Sequence, residues 1–169
     1  EGTKMFGIGG RSFTRTIAND LDLTYDAAEK LKVNFDHEYL KPSVKEKISK
    51  SIDKTLEVWL QGVELALGEF DSVDHLPNKI LLCGGGASLQ QLVDALSTGN
   101  WYKNLPFTRK PTVHHIKPDE VMGIIDKTGN ITDHTFITAM GLLRVGYDTI
   151  ISISDNDNIK EKLNRILRI

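Results

Sequence analysis

Several things are scarce in this sequence, and each scarcity excludes a class of protein. There is one cysteine in 169 residues, so no disulfide framework can form within the chain. Cys83 lies in an apolar run and reads as a small core residue of a protein kept in a reducing compartment. No stretch approaches the ~18 consecutive apolar residues of a membrane-spanning helix, and the opening residues do not read as a signal peptide. Neither sign of charge is in excess: the net charge is −2, and no dense basic stripe carries interleaved aromatics, so a nucleic-acid partner is not expected. Histidines number five, in no spacing that resembles a zinc site. His114 and His115 are adjacent and in a strand would point to opposite faces, while His37, His75 and His134 are scattered in polar segments. No Gly-x-Ser-x-Gly surrounds Ser88, so neither a metal site nor a hydrolase site is expected.

What is present is an ordinary globular composition, 40% hydrophobic and 26% charged. A chain of this length buries roughly 70% of its unfolded surface and needs no staple to hold a core. It begins at Glu1 rather than a methionine, in the middle of what reads as a strand, and so reads as a piece of a longer chain.

Thr3 to Gly10 reads as a short strand ending in a glycine turn. A helix over Ser12–Leu21 follows, with Phe13, Ile17, Ala18 and Leu21 on one face. Thr24 is a candidate N-cap for a second helix containing Glu29 and Lys32. From Ser43 to Gly68, Val44, Ile48, Ile52, Leu56, Trp59, Leu60 and Val63 recur at helical spacing. Ile80–Cys83 is too short an apolar run for a helix and reads as a strand buried on both faces. A helix over Ser88–Leu96, a second strand over Pro111–Ile116 and a helix over roughly 136–146, capped by Thr132 or Asp133, complete the core pattern. Strands alternating with helices predict an α/β layer fold.

Two strand–glycine–helix junctions stand out. Gly84-Gly85-Gly86-Ala87-Ser88 would let backbone approach a ligand without Cβ obstruction, and free N–H groups at the next helix start could bind phosphate or ribose oxygens. A triple glycine serves equally well as a tight turn with no ligand. A Walker A loop is excluded, since no Gly-Lys-Ser/Thr follows, and the Rossmann spacing is absent. The second junction is Gly9-Gly10. Glu29 and Lys32, three apart, share a helix face and could accept from a ribose and cover a base. On spacing alone, a surface ion pair is the simpler reading.

Taken in order, Gly9-Gly10-Arg11-Ser12-Phe13-Thr14-Arg15-Thr16-Ile17-Ala18, then Ala27-Ala28-Glu29-Lys30-Leu31-Lys32, resembles the GG-x-x-x-T-x-x-I-A … A-E-x-x-K stretch of the FtsA and PilM branch of the actin-like ATPases. Ile80 to Leu89 resembles that family's adenosine motif, and Thr138-Ala139-Met140-Gly141-Leu142-Leu143 its closing helix. The resemblance covers roughly residues 1–150. It implies the second half of an RNase H-like, actin-like domain, with a small inserted subdomain at roughly 33–76. It also implies an ATP or ADP site: Gly84, Gly85, Gly86 and Ser88 along the adenosine, Glu29 and Lys32 at base and ribose, Gly9 and Gly10 near the phosphates. The family's phosphate hairpin and its acidic Mg²⁺ residue are not in this sequence. No catalytic residue or metal ligand is therefore expected here, and the chain alone is expected not to hydrolyse ATP, whatever slow turnover its parent has.

Residues 151–169 read as a polar linker and a basic amphipathic helix. Ile159, Leu163, Ile166 and Leu167 lie on one face, flanked by Lys160, Lys162, Arg165 and Arg168. Such a helix suits either an anionic membrane surface or docking on its own domain. By resemblance, the expected role is a cell-division scaffold in the cytoplasm, peripheral on the inner face of the membrane, partnered by itself and by a division filament protein such as FtsZ. The alternatives are a PilM-like pilus-assembly adaptor, another actin-like or sugar-kinase-like ATPase, and an interaction domain without nucleotide. A sheet edge left open would favour self-association.

Overall fold

The computed structural model describes residues 2–35, 40–70 and 73–154, with side chains through residue 150. Of the expected polar linker and basic helix at 151–169, residues 151–154 are helical and the rest, like His37, lies outside the described residues. Five α-helices and two short strands are described: α1 (Gly10–Leu21), α2 (Tyr25–Val33), α3 (Pro42–Gly68), β1 (Lys79–Leu82), α4 (Gln90–Thr98), β2 (Thr112–His115) and α5 (Ile137–Ser154). β1 and β2 pair in parallel, and single-turn 3-10 segments occupy Gly85–Ser88, Trp101–Asn104, Pro118–Glu120 and His134–Phe136. The chain divides into two compact units, Glu1–Leu81 with Gly85–His114, and Leu82–Gly84 with His115–Ile169.

In the first unit, α1 packs on both α2 and α3, and α3 packs on α4 and on the Trp101–Asn104 turn. α3 starts with Pro42 in its first turn, where the missing N–H costs nothing. It buries Ile48, Ile52 and Leu56 at three- and four-residue spacing against Phe13 and Ile17 of α1 and their neighbours in the core. Ile17, Ile48 and Ile52 are fully buried, and each such side chain contributes about 1.5–3 kcal/mol of hydrophobic stabilisation. α1 ends where Asp22 takes the left-handed conformation (φ 52°), which a short polar side chain tolerates. α2 starts at the Thr24 hydroxyl, which accepts from the Ala27 amide at 3.3 Å, as its sequence position predicts. The span expected as an inserted subdomain, roughly 33–76, holds α3.

A polar seam lines α1 against α3. The buried Ser51 donates to Asp20 at 2.7 Å, Lys54 donates to the same oxygen at 2.8 Å, and Thr55 donates to Thr16 at 2.8 Å. Trp101, buried, donates its indole N–H to the Leu96 carbonyl at 3.0 Å and meets Phe107 edge-on.

In the second unit, α5 follows the His134–Phe136 turn, and Asp133 caps that turn by accepting from the Thr135 amide at 2.9 Å. Ile137 and Met140 are its buried residues; Leu142, Leu143, Val145, Tyr147 and Ile150 are exposed.

Four expectations need correction. Thr3–Ile8 is not a strand. Its side chains seek α3 instead of a ladder: Lys4 pairs with Glu69 at 2.8 Å, and the Phe6 ring lies over Gly62 and 6.3 Å from Trp59. β1 is not buried on both faces, because its pleat alternates, leaving Lys79 and Leu81 exposed and Ile80 and Leu82 half-buried. Cys83 is exposed rather than in the core, because it falls just beyond the strand's end at the glycine turn. The helix after the glycines begins at Gln90 rather than Ser88, since Gly85–Ser88 closes into a tighter 3-10 turn first.

Candidate functional site

The α1–α2 contact holds a compact polar cluster. Thr14 sits one turn after Gly10 on α1, and Glu29 and Lys32 share one face of α2. Where the helices meet, the Lys32 ammonium donates to the Gly10 carbonyl at 3.1 Å, to the Thr14 hydroxyl at 2.9 Å and to Glu29 Oε2 at 2.9 Å. Thr14, fully buried, hydrogen-bonds to the same Glu29 oxygen and lies 3.0 Å from the Gly10 carbonyl. Its single hydroxyl proton serves one of these acceptors at a time.

An ammonium carries three protons, and Lys32 directs all three into the cluster. Lys32 therefore positions the carboxylate rather than reaching outward. Its side chain is 15% exposed against 38% for that of Glu29. Every hydrogen bond to Glu29 goes to Oε2; among the described residues Oε1 accepts none, and it is not a buried orphan. One carboxylate oxygen is thus anchored and the other is left to solvent. Partial burial would raise the Glu29 pKa, but the Thr14 and Lys32 hydrogen bonds and the Lys32 charge outweigh it and hold the group below its ordinary range. Glu29 is ionised at neutral pH.

Gly9 is the N-cap of α1 and has no side chain to cap with, although its carbonyl accepts from the Ser12 amide at 2.8 Å. The start of α1 thus presents backbone donors next to the cluster. An ideal Cβ at Gly10 would lie 3.5 Å from the Lys32 nitrogen, an ordinary contact, and one at Gly9 would meet nothing within 4 Å.

The other predicted site residues lie on a different pair of elements. Gly84 takes φ +82°, a conformation that L side chains rarely adopt, and its amide donates to the His134 carbonyl at 2.9 Å. Gly85, Gly86 and Ser88 form the 3-10 turn that packs on α4, with Ala87 as its buried residue. A Cβ at Gly85 or Gly86 would meet nothing within 4 Å, so both face open space. The structure therefore unites Gly10, Glu29 and Lys32 between α1 and α2, with Gly9 at the edge, and places Gly84–Ser88 between β1 and α4.

No family model, curated protein or solved structure matches this chain. Among the described residues no helix is long and apolar enough to cross a membrane, and no three His, Cys, Asp or Glu side chains gather as metal ligands.

Sequence reasoning missed two groups that the structure brings into these clusters. Thr14 stands within the glycine motif, and its four-residue offset from Gly10 was the available signal. His134 stands in a polar segment, yet its ring lies against that of His115, tilted by 33° with centroids 4.3 Å apart. No local pattern announces that pair.

Proposed function

We propose that this chain is the adenosine-binding part of an FtsA-like, actin-family ATP-binding protein, and that Glu29 is its ligand-contacting carboxylate. The observation that carries the reading is the asymmetry at Glu29, with one oxygen clamped by Thr14 and Lys32 and the other open to solvent. A pre-oriented, ionised acceptor of this kind suits a pair of ribose hydroxyls, which donate hydrogen bonds. The uncapped amides of α1 beside it suit the negative charge of a phosphate chain. The order of the motifs supports the wider role: a scaffold in the cytoplasm at the inner membrane face, self-associating and bound to a division filament protein such as FtsZ. The basic segment 159–169 would serve as its contact with anionic lipid. In this reading the residues handling Mg²⁺ lie outside the chain, and turnover needs them.

The test is titration of the 169-residue chain with a fluorescent ATP analogue, competed by ATP and ADP. Glu29→Gln keeps the shape but removes the charge, which for a charge-assisted hydrogen bond weakens binding by about 10- to 100-fold. A Cβ at Gly85 meets nothing within 4 Å, so binding lost in Gly85→Val at an unchanged melting temperature would mark ligand contact at the glycine turn. Saturable binding that ignores Glu29→Gln, or no binding up to millimolar analogue, refutes the nucleotide reading.

A second reading, an interaction domain without nucleotide, is favoured by α5. Its exposed Leu142, Leu143, Val145 and Ile150 lie on more than one side of the helix, and a helix apolar all round normally packs inside a larger body. Light scattering after size-exclusion chromatography separates the readings when combined with the titration. An oligomer that binds no analogue belongs to the second.

A further inference from the structure

Within the second unit Gly84 and its neighbours bond to the segment around His134 and to the end of β2. The Gly84 amide donates to the His134 carbonyl at 2.9 Å, and the neighbouring Cys83 sulfur lies 3.9 Å from the Thr138 hydroxyl. The Ile116 amide, next to His115, donates to the Leu82 carbonyl at 3.0 Å. The imidazoles of His115 and His134 stack across this junction, with centroids 4.3 Å apart and planes inclined by 33°. Two neutral rings stack favourably at such a distance, whereas two imidazolium rings repel. The side chains thus sit one bond network away from the carbonyl that fixes Gly84.

We propose that His134, with its ring against that of His115, is a proton-sensitive latch on the Gly84 amide, closed while the His134 ring is neutral and opened when it is protonated. The groups acting electrostatically on the His134 ring include His115 from β2 and Asp133 from its own turn. Burial first, and the His115 ring second, hold the His134 pKa below the ordinary histidine value, while Asp133 opposes this in part. Protonation of His134 is therefore held to lower pH than for an ordinary histidine, so the latch stays closed at neutral pH and opens as pH falls. His114, adjacent along the strand, points to the opposite face and is no part of the pair. The inference rests on the geometry of this unit and stands whether or not the turn binds a nucleotide.

The experiment is an amide and imidazole NMR titration of the full chain from neutral to mildly acidic pH, with hydrogen exchange at Gly84 followed in parallel. The Gly84 amide shift should follow the His134 ring with one shared midpoint below about 6.5, and its protection should fall through the same interval. In His115→Gln the midpoint should rise by about half a unit or more, because the like charge is gone. In His134→Gln the carbonyl is retained, so Gly84 should stay protected and stop titrating. A Gly84 amide indifferent to pH, a midpoint unmoved in His115→Gln, or a titration that persists in His134→Gln would each overturn the latch.

Discussion

If Lys32 positions Glu29 through Thr14, removing two members of the cluster should cost less than the sum of removing each. Thr14→Val is nearly isosteric and deletes only the hydroxyl, leaving Lys32 one acceptor short and Glu29 without one donor. Hydrogen bonds to charged groups are each worth about 1.5–3 kcal/mol. Water can replace the lost donor at the part-exposed carboxylate, but not at the fully buried position 14, so a loss of about 1.5 kcal/mol is expected. Lys32→Met keeps the stem's packing and removes the ammonium's three bonds, for a loss of about 2 kcal/mol. Because both changes destroy the same Thr14–Lys32 bond, the double variant should fall about 1 kcal/mol short of additivity. Urea unfolding at neutral pH, followed by far-ultraviolet circular dichroism and by tryptophan fluorescence, measures all four corners of the cycle. Lys50→Ala, at an exposed pair with Glu46, is the control and should be silent. Singles that add to within about 0.3 kcal/mol, or that each cost no more than the control, would show that no shared network exists.

Three further outcomes follow from the same geometry. Gly84→Ala should lower stability by about 1–2 kcal/mol through its left-handed backbone, whereas Gly86→Ala, facing open space, should be neutral or slightly stabilising; equal losses in thermal unfolding would contradict the conformational argument. Stability should be level above the unfolded histidine value of 6.5 and decline as pH falls through the lower folded value of His134, because the unfolded chain takes up that proton first. A second decline should begin near the unfolded carboxylate values of 4.5 for Glu29 and 3.8 for Asp20, whose folded pKa is held down chiefly by the Lys54 and Ser51 hydrogen bonds; urea midpoints against pH should show a smaller step in Glu29→Gln with Asp20→Asn, the remainder coming from Glu46, Asp126 and Asp133. Lys32→Arg keeps the charge, but a planar fork cannot reproduce three bonds from one nitrogen, so analogue binding should weaken as much as in Lys32→Ala; full binding by the arginine variant would mean that charge alone is what position 32 supplies.

The helices of the first unit were legible because their signals are local. Thr24 and Pro42 mark starts, and Ile48, Ile52 and Leu56 repeat at a period that only a helix can bury on one side. β1 was legible as a strand but not in its burial, since an apolar run carries no information about how many faces are covered. Thr3–Ile8 has a strand's composition, yet the Phe6 ring fits over Gly62, where a Cβ would come within 2.9 Å of it, and so the segment lies along α3. That outcome depends on a glycine far along the sequence. The site divides in the same way. Glu29 and Lys32 could be placed on one face by counting, but the inward turn of the lysine depends on Gly10 and Thr14 arriving from another helix. The stacking of His115 on His134 is wholly tertiary.

A half-buried ion pair is weak support for stability, because an apolar set of the same volume often serves as well or better. At the α1–α2 contact, three apolar side chains could fill the space of Thr14, Glu29 and Lys32 without the cost of desolvating an ammonium. They could not hold a charged oxygen at fixed orientation beside the open start of a helix. The arrangement is therefore easier to understand as a means of aiming Glu29 than as a means of joining two helices. The aiming also accounts for the inward lysine. An ammonium reaching outward would neutralise a ligand's charge directly but leave the carboxylate free to rotate, whereas one locked by the Gly10 carbonyl and the Thr14 hydroxyl restricts Glu29 before any ligand arrives. Less entropy is then lost on binding, which is the advantage of a preorganised site over a merely charged one.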